Sequence, residues 1–282
     1  MTLDELYRKG KALLLQAGNE SPAFDAAFLF QKAFSIDRQA TLLHAQDQAD
    51  TDSEKQYLLW ITERAEKRPL QYIVGEWPFM GLNLFVGEGV LIPREETELL
   101  VYTAAELLNN RENPVVLDLC AGTGAVALGL ASLLPNAQIT AAELYDTAFD
   151  YLKKNIRRTG FQTVTPAQLD VLNPLSSQQF SSVDCILSNP PYINSGELAS
   201  LQAEVQREPP AALDGGSDGL VFYRAIASVW LPKLKKGGTA AVEIGEGQAE
   251  QVAALFAAAG LTAIQMKRDF NGIERLVTGT RG

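Results

Sequence analysis

The hydrophobic pattern of the first 67 residues predicts helices. Apolar residues recur three and four positions apart after Thr2, after Ser21 and within 53–67, which is the spacing of one buried helix face. Thr2 and Ser21 can each cap a helix start, and Pro22 suits the first helical position. We therefore predict three short helices that form a small N-terminal bundle, with the polar residues 45–52 as a loop.

Residues 70–92 have a different pattern, in which glycines and prolines separate short apolar segments. The segment 82–86, for example, is a short apolar run between two glycines, which is typical of a strand in a hairpin. The change of pattern divides the chain into three predicted regions. These are a helical domain over 1–68, a hairpin linker over 69–92 and a larger domain over 93–282.

From residue 95 onward, apolar runs alternate with amphipathic segments. This alternation predicts an α/β fold, a Rossmann-like and mostly parallel sheet with helices on both faces. Two C-terminal strands complete a sheet whose other predicted strands are 115–119, 138–143, 163–169, 183–188 and 239–244. The predicted helices are 95–108, 124–134, 146–158, 218–236 and 248–259. Gly237-Gly238 is interpreted as the end of the helix over 218–236.

The composition is that of an ordinary globular protein and excludes several kinds of site. Hydrophobic residues make up 46% of the 282 residues, so the chain can bury a core without a metal or disulfide. One histidine and two separated cysteines argue against a metal site, and this cysteine usage is typical of a reducing compartment. A net charge of −10 disfavours a large surface for nucleic acid or anionic membrane.

The sequence contains no predicted targeting or membrane segment. The N-terminus lacks the basic and apolar pattern of a signal peptide. Residues 115–134 carry Asp118 as their only charge, but glycines divide this window into a strand and a helix. We therefore expect a cytoplasmic protein without membrane contact.

The first chemically distinctive segment is a glycine loop, the residues from Asp118 to Gly124, between a predicted strand and a predicted helix. Glycine permits a tight turn and the close approach of a ligand to the main chain. Glu143 ends the next strand, where a carboxylate can accept hydrogen bonds from both hydroxyls of a ribose. Together these features predict an adenosine-containing cofactor. The spacing Gly122-x-Gly124-x-x-Ala127 also fits a dinucleotide, so a nicotinamide oxidoreductase and a loop without a ligand both stay open.

The charge of Asp118 favours one of these cofactors. A carboxylate beside the loop would repel a pyrophosphate, whereas it suits the ammonium and sulfonium groups of S-adenosyl-L-methionine. We therefore favour a methyl donor over a dinucleotide.

The second distinctive segment, Asn189-Pro190-Pro191-Tyr192, directly follows the fourth predicted strand of the sheet, at the edge where open α/β sheets bind ligands. The prolines fix the backbone. The Asn189 side-chain oxygen and the Pro190 carbonyl can then accept both hydrogens of a planar NH2 group, while the Tyr192 ring stacks on its plane. Such contacts aim the nitrogen at an electrophilic methyl group, and methyl transfer depends on this alignment. The alternative is a proline-stiffened turn without function.

Several segments, in this order, resemble the HemK/PrmC family of class I S-adenosylmethionine-dependent methyltransferases. Members of this family are protein-(glutamine-N5) methyltransferases that act on peptide chain release factors. Besides the glycine loop and Asn189–Tyr192, the similar segments are 91–98, 204–213, 215–216, 218–220, 242–245, 268–269 and 274–275. The resemblance covers essentially the whole chain.

The resemblance implies an enzyme of translation termination that methylates the glutamine of the Gly-Gly-Gln motif in class 1 release factors. The implied cofactor-binding residues are Asp118, Cys120, Ala121, Gly122, Thr123, Gly124, Glu143, Asp170, Val171 and Asn189. The implied substrate-binding residues are Asn189, Pro190, Pro191 and Tyr192, of which Asn189, Pro190 and Tyr192 are the catalytic ones. The helical domain would recognise the protein substrate, and we expect a monomer.

Two positions depart from the family pattern. Cys120 stands where the family usually has glycine, a mild change if that backbone position needs no positive φ. Arg207 stands where an aromatic residue usually precedes the Glu-Pro pair.

Two alternative functions remain beside the oxidoreductase. The first is methylation of an exocyclic amine of adenine or guanine in nucleic acid, which the acidic charge disfavours. The second is a non-catalytic binding protein with a methyltransferase fold, which the retained Asn189 and the loop glycines disfavour.

Overall fold

The computed structural model describes residues 1–282, apart from the side chain of Arg38. The chain forms two compact units. The helical unit comprises Met1–Glu76 and Gln202–Arg207, and the sheet unit comprises Trp77–Leu201 and Glu208–Gly282. Among the described helices, none combines the length and the apolar composition that a membrane crossing requires. The three-region division at residues 68 and 92 stays a prediction.

Five helices make up most of the helical unit. They are α1 (Leu3–Gln16), α2 (Pro22–Phe34), α3 (Arg38–Leu43), α4 (Thr51–Ala65) and α5 (Leu70–Val74). Thr2 begins α1 with a capping box, since its hydroxyl accepts from the Glu5 N–H and the Glu5 carboxylate accepts from the Thr2 N–H. The predictions of α1, α2 and α4 are confirmed. The sequence pattern missed α3 and α5 because helices of 6 and 5 residues are too short to show a periodicity.

Arg64 connects the segment Gln202–Arg207 to the rest of the helical unit. Its Nε donates to the buried Asp25 carboxylate at 2.7 Å, and its Nη1 donates to Glu204 at 3.0 Å. Arg207 donates to the Glu66 carbonyl at 3.0 Å, where α4 ends. The position that departs from the family pattern thus has a hydrogen-bond partner of its own, a carbonyl that the end of a helix leaves free.

The sheet unit begins with a hairpin and continues with a large sheet. The hairpin consists of β1 (Glu76–Phe79) and β2 (Leu82–Phe85), as the pattern of 70–92 predicted, although α5 occupies the first part of that segment. The strands of the large sheet are β3 (Val115–Leu119), β4 (Gln138–Glu143), β5 (Val164–Gln168), β6 (Val183–Ser188), β7 (Leu234–Glu243), β8 (Leu261–Arg268) and β9 (Glu274–Arg281). Within the described chain their order is β5-β4-β3-β6-β7-β9-β8, parallel from β5 to β7 and antiparallel at β9 and β8.

Helices cover both faces of this sheet. They are α6 (Glu98–Leu108), α7 (Ala125–Leu133), α8 (Asp146–Thr159), α9 (Val221–Ala225) and α10 (Ala249–Ala258). Val116 packs in the cluster that contains α6, α7 and α8, whereas Leu117 packs in the cluster that contains α9 and α10. Neighbouring residues on β3 enter different clusters because successive side chains of a strand point to opposite faces. The predicted α/β class is confirmed.

The predicted helix over 218–236 is confirmed over Val221–Lys233 and is wrong at its two ends. α9 continues into a π-helical turn (Ile226–Trp230) and a 3-10 turn (Leu231–Lys233), and β7 begins at Leu234. Pro232 lacks the N–H that a continuing helix requires. Gly237, with a φ of 72°, lies within β7, where the pairing with β6 shifts its register.

The order of the strands reverses between β3 and β6. The chain runs from β3 outward through β4 and β5, and then returns to place β6 on the other side of β3. In open α/β sheets, ligands bind in the crevice beyond the carboxyl ends of the strands at such a point. Leu119 pairs with Ser188, and the Ser188 hydroxyl donates to the Leu119 carbonyl at 2.7 Å. The segments that follow β3 and β6 therefore start side by side.

Candidate active site

The glycine loop turns tightly after β3. The Ala121 N–H donates to the Ala142 carbonyl at 2.8 Å, and the Gly124 N–H donates to the Ala121 carbonyl at 2.7 Å. Gly124 has a φ of 85°, and a Cβ there would lie 2.6 Å from Leu152 of α8. Only glycine fits this position without displacing a neighbour, because it has no Cβ and tolerates a positive φ.

Cys120 occupies a backbone conformation that favours glycine. Its φ is 59°, in the left-handed region. Cysteine in place of the family's glycine is therefore not a mild change, because this position has a positive φ. Holding a non-glycine residue in that conformation costs on the order of 1–3 kcal/mol of stability. Burial raises the pKa of the Cys120 thiol, which keeps it protonated and neutral.

Glu143 holds the glycine loop through main-chain hydrogen bonds. Its Oε2 accepts from the Gly122 N–H at 2.9 Å, and its Oε1 accepts from the N–H groups of Leu144 and Tyr145 at 2.7 and 3.0 Å. A carboxylate offers about four acceptor positions. The three main-chain N–H groups occupy three of these positions, so the second acceptor position of Oε2 is open to a ligand hydroxyl.

Asp118 lies beneath the loop in the interior of the sheet unit. Its Oδ2 accepts from the Ala127 N–H at 3.0 Å, while its Oδ1 has no hydrogen-bond partner among the described residues. Burial raises the pKa of Asp118 to about 8 against the effect of the Ala127 hydrogen bond, and the Glu143 charge adds to the rise. A role for Asp118 toward a ligand cation stays a prediction.

A cavity of about 510 Å³ opens beside the glycine loop, within the sheet unit. Predicted site residues form much of its wall, namely Cys120, Ala121, Gly122, Thr123, Glu143, Asp170, Val171, Asn189 and Pro191. Among the residues that the structure describes, the predicted residues Asp118, Gly124, Pro190 and Tyr192 do not line the cavity. Arg94, Thr97 and Phe222 do line it, although the sequence patterns did not assign them to a site.

The walls of this cavity suit an adenosine. Its volume lies in the range of small-molecule sites. Leu169, Val171 and Phe222 supply an apolar wall for a flat base, and Glu143 supplies an acceptor for a hydroxyl. The wall near Val171 is held in place, since its carbonyl accepts from the buried Trp230 Nε1 at 2.9 Å.

A chain of side-chain hydrogen bonds holds Asn189. Its Nδ2 donates to the Thr97 hydroxyl at 3.1 Å, and that hydroxyl donates to Glu243 Oε2 at 2.7 Å. The β-sheet brings these groups together, because Val242 pairs with Ser188 and the two strands end beside each other. Glu243 is buried, and burial raises its pKa to about 7, which the Thr97 hydrogen bond and the Arg275 charge oppose.

Tyr192 is attached to the turn that follows β7. The Gln248 Nε2 donates to the Tyr192 carbonyl at 2.9 Å, and the Gln248 Oε1 accepts from the Gly245 N–H at 2.9 Å. A Cβ on Gly245 would lie 3.0 Å from the Tyr192 ring, so a larger residue at this place would press on the ring. Burial raises the pKa of the Tyr192 phenol to about 12, so its ring is neutral.

An ion pair ties the loop after Tyr192 to the wall of the cavity. The Arg94 guanidinium donates to the buried Glu208 carboxylate, which also accepts from the Ile92 N–H at 2.9 Å. Directly after Glu208, Pro209, Ala211 and Ala212 line the cavity. The loop therefore forms part of the cavity wall.

Thr97 and Glu243, which hold Asn189 by hydrogen bonds, were not assigned to a site by the sequence patterns. Both lie in segments that resemble the methyltransferase family, but neither belongs to the glycine loop or to Asn189–Tyr192. The available signal was Glu243 itself, a single acid at the end of an apolar strand, since buried carboxylates are rare outside functional or paired positions.

Two known protein families match the chain. Residues 5–75 match the PrmC N-terminal domain, and residues 96–225 match the methyltransferase small domain. The first match lies in the helical unit, and the second covers the glycine loop and Asn189–Tyr192.

Curated relatives match nearly the whole chain. The chain is 37% identical over 273 residues to a release factor glutamine methyltransferase of Geobacter sulfurreducens, covering 96% of this chain and 94% of the relative. It is 34% identical to one of Deinococcus radiodurans, covering 100% of this chain and 99% of the relative. A solved methyltransferase from Pyrococcus furiosus shares the fold, with a TM-score of 0.51 and 16% identity over 72% of this chain and 90% of that chain.

Proposed function

The chain belongs to the release factor glutamine methyltransferase family, and from this membership we propose its reaction. It transfers a methyl group to the side-chain amide nitrogen of the glutamine in the Gly-Gly-Gln motif of class 1 peptide chain release factors. The methyl donor is S-adenosyl-L-methionine. The reaction serves translation termination in the cytoplasm.

One observation carries this proposal. The glycine loop and Asn189 follow β3 and β6, which are neighbours at the point where the strand order reverses. Both segments line the same cavity. A donor held by the loop and an amide held by Asn189 therefore meet at one place, and this proximity is what an in-line methyl transfer requires.

The residues of the cavity fit the proposed cofactor. The bound cofactor supplies a methyl group on a sulfonium, which is electrophilic without further activation. Glu143 would accept a hydrogen bond from the ribose, and Asp170 and Val171 would lie beside the adenine. The main chain from Cys120 to Gly124 would contact the methionine part, with the buried Asp118 carboxyl beneath the loop.

The substrate amide would be held beside Asn189. The Asn189 side-chain oxygen accepts one hydrogen of the glutamine NH2 group, and the Pro190 carbonyl accepts the other. The Tyr192 ring packs on the plane of the glutamine amide. An amide nitrogen is a weak nucleophile because its lone pair is delocalised into the carbonyl. Acceptors for both N–H groups favour the positive charge that the nitrogen acquires during transfer, so these contacts strengthen in the transition state.

The helical unit would bind the body of the release factor, because a single glutamine side chain offers little surface for recognition. The unit has its own compact core and its own match to the PrmC N-terminal domain. A truncated chain that starts at Trp77 should bind the cofactor but methylate a release factor poorly.

The test is mass spectrometry of a class 1 release factor after incubation with the full chain and isotopically labelled S-adenosylmethionine. We expect one methyl group on the glutamine of Gly-Gly-Gln. A release factor with asparagine at that position is the matched control and should stay unmodified, because its shorter side chain leaves the nitrogen short of the methyl.

Two outcomes would contradict the proposal. Label found on ribosomal RNA or DNA but not on the release factor would indicate the nucleic-acid reaction instead. Thermal stabilisation by NAD and not by S-adenosylmethionine would indicate an oxidoreductase, because a ligand that binds the native state raises its melting temperature.

A further inference from the structure

The hydrogen bonds of Thr97 determine which way the Asn189 amide faces. The Thr97 hydroxyl has a single proton, and an ionised Glu243 carboxylate can only accept it. The Thr97 oxygen must then accept from Asn189, and the only group there with hydrogens to give is the NH2 of the amide. Nδ2 therefore points toward Thr97, which leaves Oδ1 free to accept from a substrate.

We propose that Thr97 and Glu243 are positioning residues for methyl transfer, which hold the Asn189 amide with its oxygen toward the substrate nitrogen. This inference rests on the proposed function, since it concerns the same site. Thr97 lines the cavity and is buried, and the buried Glu243 interacts with both Thr97 and Asn189, since hydrogen bonds from the two side chains oppose the rise in its pKa that burial causes.

A neutral Glu243 would remove this control. A protonated carboxyl can donate to the Thr97 oxygen, and the Thr97 proton is then free to turn toward Asn189. The amide is then free to flip, so that its NH2 faces the substrate NH2 and the reacting nitrogen loses one of its two acceptors. The hydrogen bonds therefore hold the Asn189 oxygen toward the substrate when Glu243 is ionised. They no longer fix the orientation of the amide when Glu243 is protonated.

The other groups around Glu243 do not reproduce this effect. The Tyr223 hydroxyl donates to the Glu243 main-chain carbonyl at 2.8 Å. Burial raises the pKa of both Tyr223 and Tyr192 above the ordinary value of 10, so neither phenol ionises near neutral pH. Arg275 stays charged beside its partner Asp269, and Glu96 is exposed to solvent. Near neutral pH, Glu243 is thus the group whose charge change alters the direction of the hydrogen bonds.

The kinetic experiment uses the full chain with a class 1 release factor and three variants, Thr97→Val, Thr97→Ser and Glu243→Gln. Valine has the shape of threonine without the hydroxyl, so we expect kcat to fall about tenfold or more. The KM for the release factor and the Kd for S-adenosylmethionine should stay near those of the unmodified chain. Serine keeps the hydroxyl and should restore most of kcat.

The pH profile provides a second readout. In the unmodified chain, kcat should fall as the pH decreases through about 7, because Glu243 takes up a proton. Glu243→Gln carries a neutral donor at all pH values, so its kcat should be low and should lack this step.

An NMR experiment separates this proposal from the proposed function. The Asn189 side-chain amide signals should shift with pH around neutrality in the unmodified chain and stay constant in Glu243→Gln, whether or not a release factor is methylated. Three results would each overturn the positioning role. The first is an equal loss of kcat in Thr97→Ser and Thr97→Val, the second is an effect of Thr97→Val on KM alone, and the third is a set of Asn189 amide signals that do not respond to pH. An unmodified chain that shows the NMR shift but methylates no release factor would overturn the proposed function alone.

Discussion

The two sides of the cavity are built in different ways. On the side that we propose for the cofactor, named the cofactor side, Glu143 accepts from main-chain N–H groups of Gly122, Leu144 and Tyr145, which lie 21, 1 and 2 positions away. On the substrate side, Asn189 and Glu243 bond to the Thr97 side chain across 92 and 146 positions. The cofactor side is thus a local, main-chain structure, whereas the substrate side depends on side chains from distant elements.

This difference affects how each side responds to substitution. A main-chain donor survives a change of its own side chain to any residue except proline, so the cofactor side is sensitive mainly at its acceptor and at the glycines. A side-chain network fails when any one member is removed. We therefore expect losses of cofactor affinity on one side and losses of turnover on the other.

The largest expected effect is on the substrate side. Asn189→Ala removes an acceptor that acts in the transition state, so the single-turnover rate should fall on the order of a hundredfold or more. The Kd for S-adenosylmethionine, measured by calorimetry, should change little. Asn136→Ala, at an exposed asparagine, is the control and should leave both unchanged. An equal loss in affinity and rate would mean that the two sides are not separate.

The next effect concerns the buried acid beneath the loop. The pKa of Asp118 is raised to about 8 in the folded protein, so the stabilisation it contributes is complete below its ordinary value near 3.8 and is lost as the pH rises toward 8. Asp118→Asn keeps an acceptor for Ala127 and does not ionise. Relative to the unmodified chain, its free energy of unfolding without cofactor should rise by about 2 kcal/mol between about pH 5 and 6.5. Denaturation at several pH values tests this, and a constant difference would contradict it.

A smaller effect is expected at the acceptor of the cofactor side. Glu143→Ala removes a ribose contact and the anchor of the loop, so the Kd for S-adenosylmethionine should rise about tenfold or more. The rate at saturating cofactor should fall much less than in Asn189→Ala. Calorimetry and single-turnover assays measure the two quantities. Unchanged affinity together with a large loss of rate would place Glu143 in the chemistry instead.

The smallest effect is at Cys120, where glycine and alanine variants separate backbone strain from packing. Both variants remove the thiol, but only glycine adopts a φ of 59° without strain. Cys120→Gly should therefore be more stable than Cys120→Ala by about 1 kcal/mol, as measured by denaturation. Equal stability, or a less stable glycine variant, would show that the loop imposes no strain there.

Local patterns in the sequence determined the elements and the cofactor side. The strands at 115–119, 138–143 and 183–188 match the predicted bounds, because each is an apolar run ended by a turn. The helix predicted over 218–236 was placed too far along the chain, because the glycine-containing strand β7 begins at Leu234, directly after the turn that contains Pro232. The glycine loop and Asn189–Tyr192 were recognisable because each is a contiguous segment.

Only the tertiary structure decided how these segments meet. It placed β6 between β3 and β7, and so brought Thr97, Asn189 and Glu243 into one hydrogen-bonded chain. It also assigned the segment Gln202–Arg207 to the helical unit. Local propensity acts over a few residues, whereas strand pairing and buried hydrogen bonds are chosen by the packing of the whole domain. For this reason the segments of the candidate site could be predicted from the sequence, but the hydrogen-bond partners that orient their side chains could not.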